Sequence, residues 1–289
     1  MPYERDGDVT HLIFILHGIR DLGQWASQFE TELRSLAKEA NQKIAIASIR
    51  YGYFGMGQFI LSSDRQKYVR WFMDEYTETL AKYPNVQTVD FIGHSNGTYL
   101  MARALADYAS LRVDKVVFAG SVVPRDYDWE KVQDRIKDNG VVRNYVAADD
   151  WVVALFPRLF ELPLLRRLGN DIGSAGFNGF VHEPMPAFVQ NIKYVMGHHS
   201  AFINRIPEIV RFIVNPQDPG ADNPKGRFVT RERWQALKLV SDWLSPALWL
   251  VILAPLVWIG FRVTGAATQP ASVALLFYVV LVVLLLREL

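Results

Sequence analysis

The stretch from Val86 to Ser110, VQTVDFIGHSNGTYLMARALADYAS, leaves this chain few folds to choose from. Val86, Val89, Phe91 and Ile92 form an apolar, β-branched run of the length of a buried strand. The run stops at Gly93-His94-Ser95-Asn96-Gly97, and a segment with helical spacing follows, with Leu100, Ala104, Leu105 and Tyr108 on one face. Strand, tight Gly-x-Ser-x-Gly turn and helix therefore follow one another without a linker. Such a turn is physically demanding. Ser95 has to take a strained backbone conformation for its hydroxyl to project from the sheet edge. Gly93 and Gly97 lack Cβ atoms, which lets strand and helix close on each other. The N-terminus of the helix then points its N–H groups at any oxyanion that forms near Ser95.

Apolar runs and helical spacings alternate on either side of this unit. HLIFIL (11–16) is continuous and apolar, as expected of a strand covered on both faces, and it ends in His17-Gly18-Ile19-Arg20-Asp21. Trp25 to Ala40 has helical spacing, Ile44 to Ile49 is a strand, and Tyr51 to Gly57 is a loop rich in glycine and aromatics. A long helix spans Phe59 to Lys82, with a break expected near Ser62-Ser63 and a stop at Pro84. Lys115 to Ala119 is the next strand, and Trp129 to Lys137 is expected to be a short helix closed by Asn139-Gly140. Val141 to Ala147 runs as a strand into Asp149-Asp150. Ile192 to Met196 is the last strand, ending at Gly197-His198-His199, and Ala201 to Val214 is the closing helix. Alternation with short links predicts an α/β fold, a mostly parallel sheet with helices on both faces.

Composition narrows the function. The net charge is +1, which argues against nucleic acid as a partner. The absence of cysteine excludes disulfides, a thiol nucleophile and a cysteine-based zinc site. The opening MPYERDGDVTHLIFILHG lacks the pattern of a secretory signal, because acid outnumbers base before an apolar run that is too short.

With these residues on the page, the chain resembles the α/β-hydrolase superfamily over residues 9 to 214. The resemblance is carried by the His-Gly turn after an early strand, the Gly-x-Ser-x-Gly elbow, an acid after a later strand and a histidine after the last one. They follow the order Ser, Asp, His. The resemblance implies a serine hydrolase. Ser95 would be the nucleophile, a histidine the base that takes its proton, and an aspartate the group that holds the imidazole tautomer. For the acid, Asp150 is preferred because Asp150-Trp-Val-Val looks like the family's return into the fold; Asp149 and Asp126 are the alternatives. For the base, His199 is preferred because His199-Ser-Ala-Phe resembles the family's lead into the final helix, with His198 the alternative. The oxyanion hole would be the backbone N–H groups of Ile19 and Asn96. His17 reads as a structural turn residue. The expected reaction is ester hydrolysis through an acyl-enzyme, with no metal and no organic cofactor; thioesterase or amidase chemistry would use the same residues. A non-catalytic scaffold of the same fold, assembling in the membrane, is the alternative from another class.

The domain is expected to occupy residues 1–240, with 151–190 as an insertion that is either a packed excursion or a lid. Its glycine-rich piece, Gly169 to Gly179, lacks the Lys-Ser/Thr pair of a phosphate loop. Residues 241–289 form the other region. Trp243 to Val263 and Pro270 to Leu286 are apolar apart from Arg262, and their lengths suit a transmembrane helical hairpin. Pro255 would kink the first helix, and Trp243, Trp249 and Trp258 suit the membrane interface. Thr230 to Trp243 reads as an amphipathic stretch lying along that interface. Lys225, Arg227, Arg231, Arg233 and Lys238 before the hairpin and Arg287 after it put both ends, and the hydrolase domain, on the cytoplasmic side. The expected partners are an acylated small molecule or lipid as substrate and the bilayer itself. The sequence leaves a homo-oligomer open.

Overall fold

The structure is a computed structural model that describes residues 8–18, 24–49, 62–161, 171–215, 235–243 and Trp258. Six strands form one sheet in the order β2-β1-β3-β4-β5-β6: β1 (His11–Leu16), β2 (Ile44–Ile49), β3 (Thr88–His94), β4 (Val113–Ala119), β5 (Ile136–Ala147) and β6 (Val189–Val195). Every pairing is parallel. Parallel neighbours require crossovers: α1 (Gln24–Glu39), α2 (Ser62–Lys82) and α3 (Asn96–Asp107) supply the first three, a 3₁₀ segment lies between β4 and β5, and α4 (Trp151–Phe160) with the short α5 (Ala175–Asn178) lies between β5 and β6, while α6 (Ile206–Val214) and α7 (Gln235–Trp243) follow the last strand.

The period of two along β1 explains why helices lie on both faces. Leu12, Phe14 and Leu16 enter a core shared with Val69 and Phe72 of α2 and with Leu100 and Leu105 of α3. Ile13 and Ile15 enter the opposite core, with Trp25, Phe29 and Leu33 of α1 and Ile206, Ile209 and Ile213 of α6. From Leu12 to Leu16 the strand is apolar on both faces, as expected of a central one, and β1 lies between β2 and β3. The strand order reverses there. The crevice beyond the C-terminal ends of β1 and β3 is the position at which a parallel sheet of this kind offers a site.

Two expectations are corrected. The segment after Trp129 is a 3₁₀ turn, Glu130–Arg135, and not a helix to Lys137; Asn139 and Gly140 lie inside β5. Val113 pairs with Ile136 and Lys115 with Val141, so residues 137–140 of β5 face Asp114 alone. Asn139 takes φ 67° in this bulge, and a Cβ on Gly140 would stand 2.4 Å from the Asp114 carbonyl oxygen. Left-handed residues end helices and make bulges equally well, and pairing with β4 selects the bulge. The closing helix also begins later than expected. Ala201–Arg205 is 3₁₀, and the α-helix starts at Ile206, where Pro207 supplies a φ already suited to a first turn and lacks the N–H that such a turn leaves unused.

The described flanks of the 151–190 insertion are packed into the domain. Glu161, nearly buried, accepts hydrogen bonds from Arg125 Nε at 3.0 Å and from the Ser174 N–H at 2.9 Å, and it pairs with Arg158. Asp171 accepts from Arg65 Nη2 at 2.8 Å and from the Tyr99 hydroxyl at 2.9 Å. Burial, reinforced by the Asp171 charge, pushes the Tyr99 phenol up, so it stays a donor. The glycines of this stretch serve close packing: a Cβ on Gly176 would lie 2.3 Å from the Ser121 nitrogen. Residues 162–170 lie outside the described residues. So do the loop at 51–57 and all of the apolar C-terminal segments except the end of α7 and Trp258, which is exposed. Among the described residues no helix is long and apolar enough to cross a membrane.

Candidate active site

Ser95 sits between the end of β3 and the start of α3, with φ 51° and ψ −120°. A side chain in that region of the map is strained by about 1–3 kcal/mol, and it persists only where its surroundings over-determine it. They do so here. The Ser95 N–H donates to the Ala119 carbonyl at 2.9 Å, and the Ser95 carbonyl accepts the Thr98 hydroxyl at 2.7 Å and the Thr98 N–H at 2.9 Å. Thr98 Oγ1 in turn accepts from the Val122 N–H at 3.1 Å, which ties the turn to the loop after β4. Gly97 packs so closely on β1 that a Cβ would lie 2.5 Å from the Leu16 carbonyl oxygen. Gly18, at the end of β1, faces Ser95 itself: a Cβ there would stand 2.7 Å from Ser95 Cβ and 3.3 Å from Oγ.

Asp150 and His199, the expected acid and base, meet at the ends of β5 and β6. Asp150 is fully buried and precedes α4. One carboxylate oxygen accepts the Val153 N–H at 3.0 Å, capping that helix, and the other accepts His199 Nδ1–H at 2.9 Å. With Nδ1 engaged as donor, the unprotonated nitrogen of a neutral His199 is Nε2, on the far side of the ring. The ring rests on Gly120, the residue after Ala119: a Cβ on Gly120 would stand 2.7 Å from His199 Cε1. Ser95 and His199 are thus held against successive residues at the end of β4, one by a hydrogen bond to Ala119 and the other by contact with Gly120.

The alternatives are placed differently. His198 is exposed, and its Nδ1 donates to the backbone carbonyl of Asp149 at 3.2 Å, with no carboxylate in that bond. Asp126 is exposed in the turn after β4, next to the Tyr127 N–H that donates to the Pro124 carbonyl. His17 is buried and donates from Nδ1 to the Gly18 carbonyl at 2.8 Å, a bond within its own turn. Asn96, fully buried, opens α3, so its N–H belongs to the first-turn donors for which the helix has no carbonyl. Ile19 lies outside the described residues. Among the described residues no group of histidine, aspartate and glutamate is arranged to hold a metal ion.

Three contributors were not singled out from the sequence. Thr98 braces the turn, Gly120 seats the imidazole, and His94 packs beside it. The His94 ring lies 4.7 Å from that of His199 and 4.5 Å from Phe202, and its Nε2 donates to the His199 backbone carbonyl at 3.3 Å. Gly120 could have been suspected, because it follows a continuous apolar strand as Gly18 follows β1. Gly120 also has φ +53°, so a side chain there is both strained and in collision with the ring. Gly120→Ala is expected to displace His199 and lower kcat about 100-fold or more while the protein still folds; circular dichroism alongside a rate measurement checks both.

No protein-family model matches the chain, and no curated protein matches it. Solved structures do. An uncharacterized protein from Bacillus cereus is 13% identical, with a TM-score of 0.44, over 75% of this chain and 63% of its own. SOBER1 of Arabidopsis thaliana is 17% identical, with a TM-score of 0.44, over 70% of this chain and 97% of its own. LpqC of Bordetella parapertussis, a poly(3-hydroxybutyrate) depolymerase, is 12% identical, with a TM-score of 0.45, over 75% of this chain and 83% of its own.

Proposed function

We propose that this chain is a membrane-anchored serine hydrolase of the α/β-hydrolase type, with Ser95, His199 and Asp150 as its triad and an ester as its substrate. The observation that carries the reading is the backbone of Ser95, a non-glycine residue at φ 51° at a strand-to-helix turn. Folding gains nothing from that strain, and a serine presented this way is suited to attack a carbonyl. His199, paired with Asp150 and seated on Gly120 next to the Ala119 carbonyl that holds the Ser95 N–H, would supply what such a hydroxyl lacks.

In the reaction, Ser95 Oγ attacks the substrate carbonyl as its proton passes to His199 Nε2. Asp150, accepting from Nδ1, favours the imidazolium that results. The N–H of Asn96, with that of Ile19, receives the oxyanion of the tetrahedral intermediate, where one such donor is worth about 3–4 kcal/mol of barrier. His199 then protonates the departing alcohol, leaving an acyl group on Ser95. A water attacks the acyl carbon as it gives a proton to His199, and that proton passes to Ser95 Oγ as the acyl bond breaks and the carboxylic acid leaves. Residues 243–286 anchor the protein as a hairpin, with the hydrolase domain on the cytoplasmic face.

Labelling with a fluorophosphonate, which reacts only with an activated serine, tests this. The wild type and His198→Ala are expected to label, whereas Ser95→Ala and His199→Ala are expected not to. A wild type that stays unlabelled overturns the reading, and loss of labelling in His198→Ala with retention in His199→Ala reassigns the base.

A further inference from the structure

The amphipathic stretch before the apolar C-terminal segment does not spend its buried face on a membrane. In α7, Leu237 is buried in the core shared with α2 and α3, and Ser241, one turn later, is buried and donates its hydroxyl to the Ala154 carbonyl of α4 at 2.7 Å. Ala154 stands one turn after Asp150, the residue that caps α4 and holds His199. The helix that leads into the apolar segment is therefore docked on the helix that begins at the triad acid.

Lengths follow from this contact. Ala154 is about 6 Å along the helix axis from Asp150, and packed helices lie about 8–10 Å apart. The end of α7, two residues past Ser241, is then about 10–15 Å from Asp150. The apolar run 244–261 starts at that point in the sequence, with no polar linker between. The headgroup zone of one leaflet is about 5–8 Å deep. Two exposed apolar side chains lie on the elements that flank this contact. Leu239 is 61% exposed on α7, and Met196 is 58% exposed just past β6, three residues before His199. Met196 follows the C-terminal end of β6, and Leu239 lies on the helix docked on α4.

We infer that the α4–α7 edge rests on the bilayer and holds the triad at its surface, so that the substrate is an acyl ester resident in that bilayer, such as a glycerolipid, and not a solute. This rests on the hydrolase and anchor reading above. A charged headgroup has no dedicated partner in the argument; what the arrangement selects is an ester group lying at the polar–apolar boundary, where that of a glycerolipid lies.

The test uses the full chain reconstituted in dioleoylphosphatidylcholine vesicles that carry a fluorogenic diacylglycerol ester, with p-nitrophenyl butyrate as the soluble ester. A flexible Gly/Ser linker of a dozen residues inserted between Trp243 and Leu244 keeps the anchor and the fold but releases the domain by about 20 Å. The linker protein is expected to stay in the vesicles and to hydrolyse the soluble ester at the wild-type rate. Its rate on the vesicle ester should fall about fivefold or more. An unchanged vesicle rate overturns the inference, as does a wild type that cleaves the soluble ester but not the embedded one. Failure of the underlying reading is seen separately: a wild type that does not label with fluorophosphonate loses the enzyme, and one that does not sediment with vesicles loses the anchor and with it this inference.

Discussion

Ser95→Gly is expected to abolish turnover and yet make the protein more stable. The loss follows from the chemistry, because without a hydroxyl no acyl-enzyme forms; removing the nucleophile of such a triad costs about 10⁴-fold or more in kcat. The gain follows from the backbone. Ser95 is held at φ 51° and ψ −120°, a region in which a Cβ costs about 1–3 kcal/mol and glycine costs little. The extra freedom of glycine in the unfolded chain takes back about 0.5–1 kcal/mol, so the net gain is about 1 kcal/mol. Ser95→Ala is the control. It loses turnover to the same extent but keeps the Cβ, and so gains no stability from the backbone. Denaturation midpoints and ester hydrolysis, measured on all three proteins, check the prediction. A Ser95→Gly protein that turns over within tenfold of the wild type would show that another residue does the chemistry.

The second large effect separates the two duties of Asp150. One oxygen caps α4 through the Val153 N–H, and the other holds His199 Nδ1–H. Asparagine can keep the cap through its carbonyl oxygen, but its amide then faces Nδ1 as a donor. The imidazole is driven to the tautomer protonated on Nε2, which cannot accept the serine proton. Asp150→Asn is therefore expected to keep near-native stability and to lose about 10⁴-fold in kcat. Asp150→Ala loses the cap as well, which adds about 1 kcal/mol of destabilisation. Activity and denaturation midpoints of the pair distinguish a catalytic carboxylate from a purely structural cap. If Asp150→Asn retains wild-type kcat, Asp150 is only a cap.

Much of this molecule is legible from periodicity. β1 and β2 are found with the bounds their apolar runs predict, because each run is flanked by polar residues that mark where it stops. The serine turn is legible too, since Gly97 stands where a Cβ would strike β1 and Gly93 where one would strike Phe91. What failed was local punctuation. Asn139-Gly140 reads as a helix stop and is a bulge, because the same left-handed conformation serves both and the choice belongs to β4 across the ladder. In α7 the amphipathic pattern left its cover undecided, and α4 and the core cover Leu237 and Ser241.

The order of strands and helices, the parallel sheet and the position of the serine follow from where apolar residues recur along the chain, because burial acts on each segment before its neighbours are known. The choice between Asp149 and Asp150, and between His198 and His199, could not follow from that. Adjacent residues leaving a strand point in different directions, and each pair is chemically identical. Asp150 is paired with His199 because a helix N-terminus and the bare backbone of Gly120 stand on their side of the loops, brought there from segments far away in the chain.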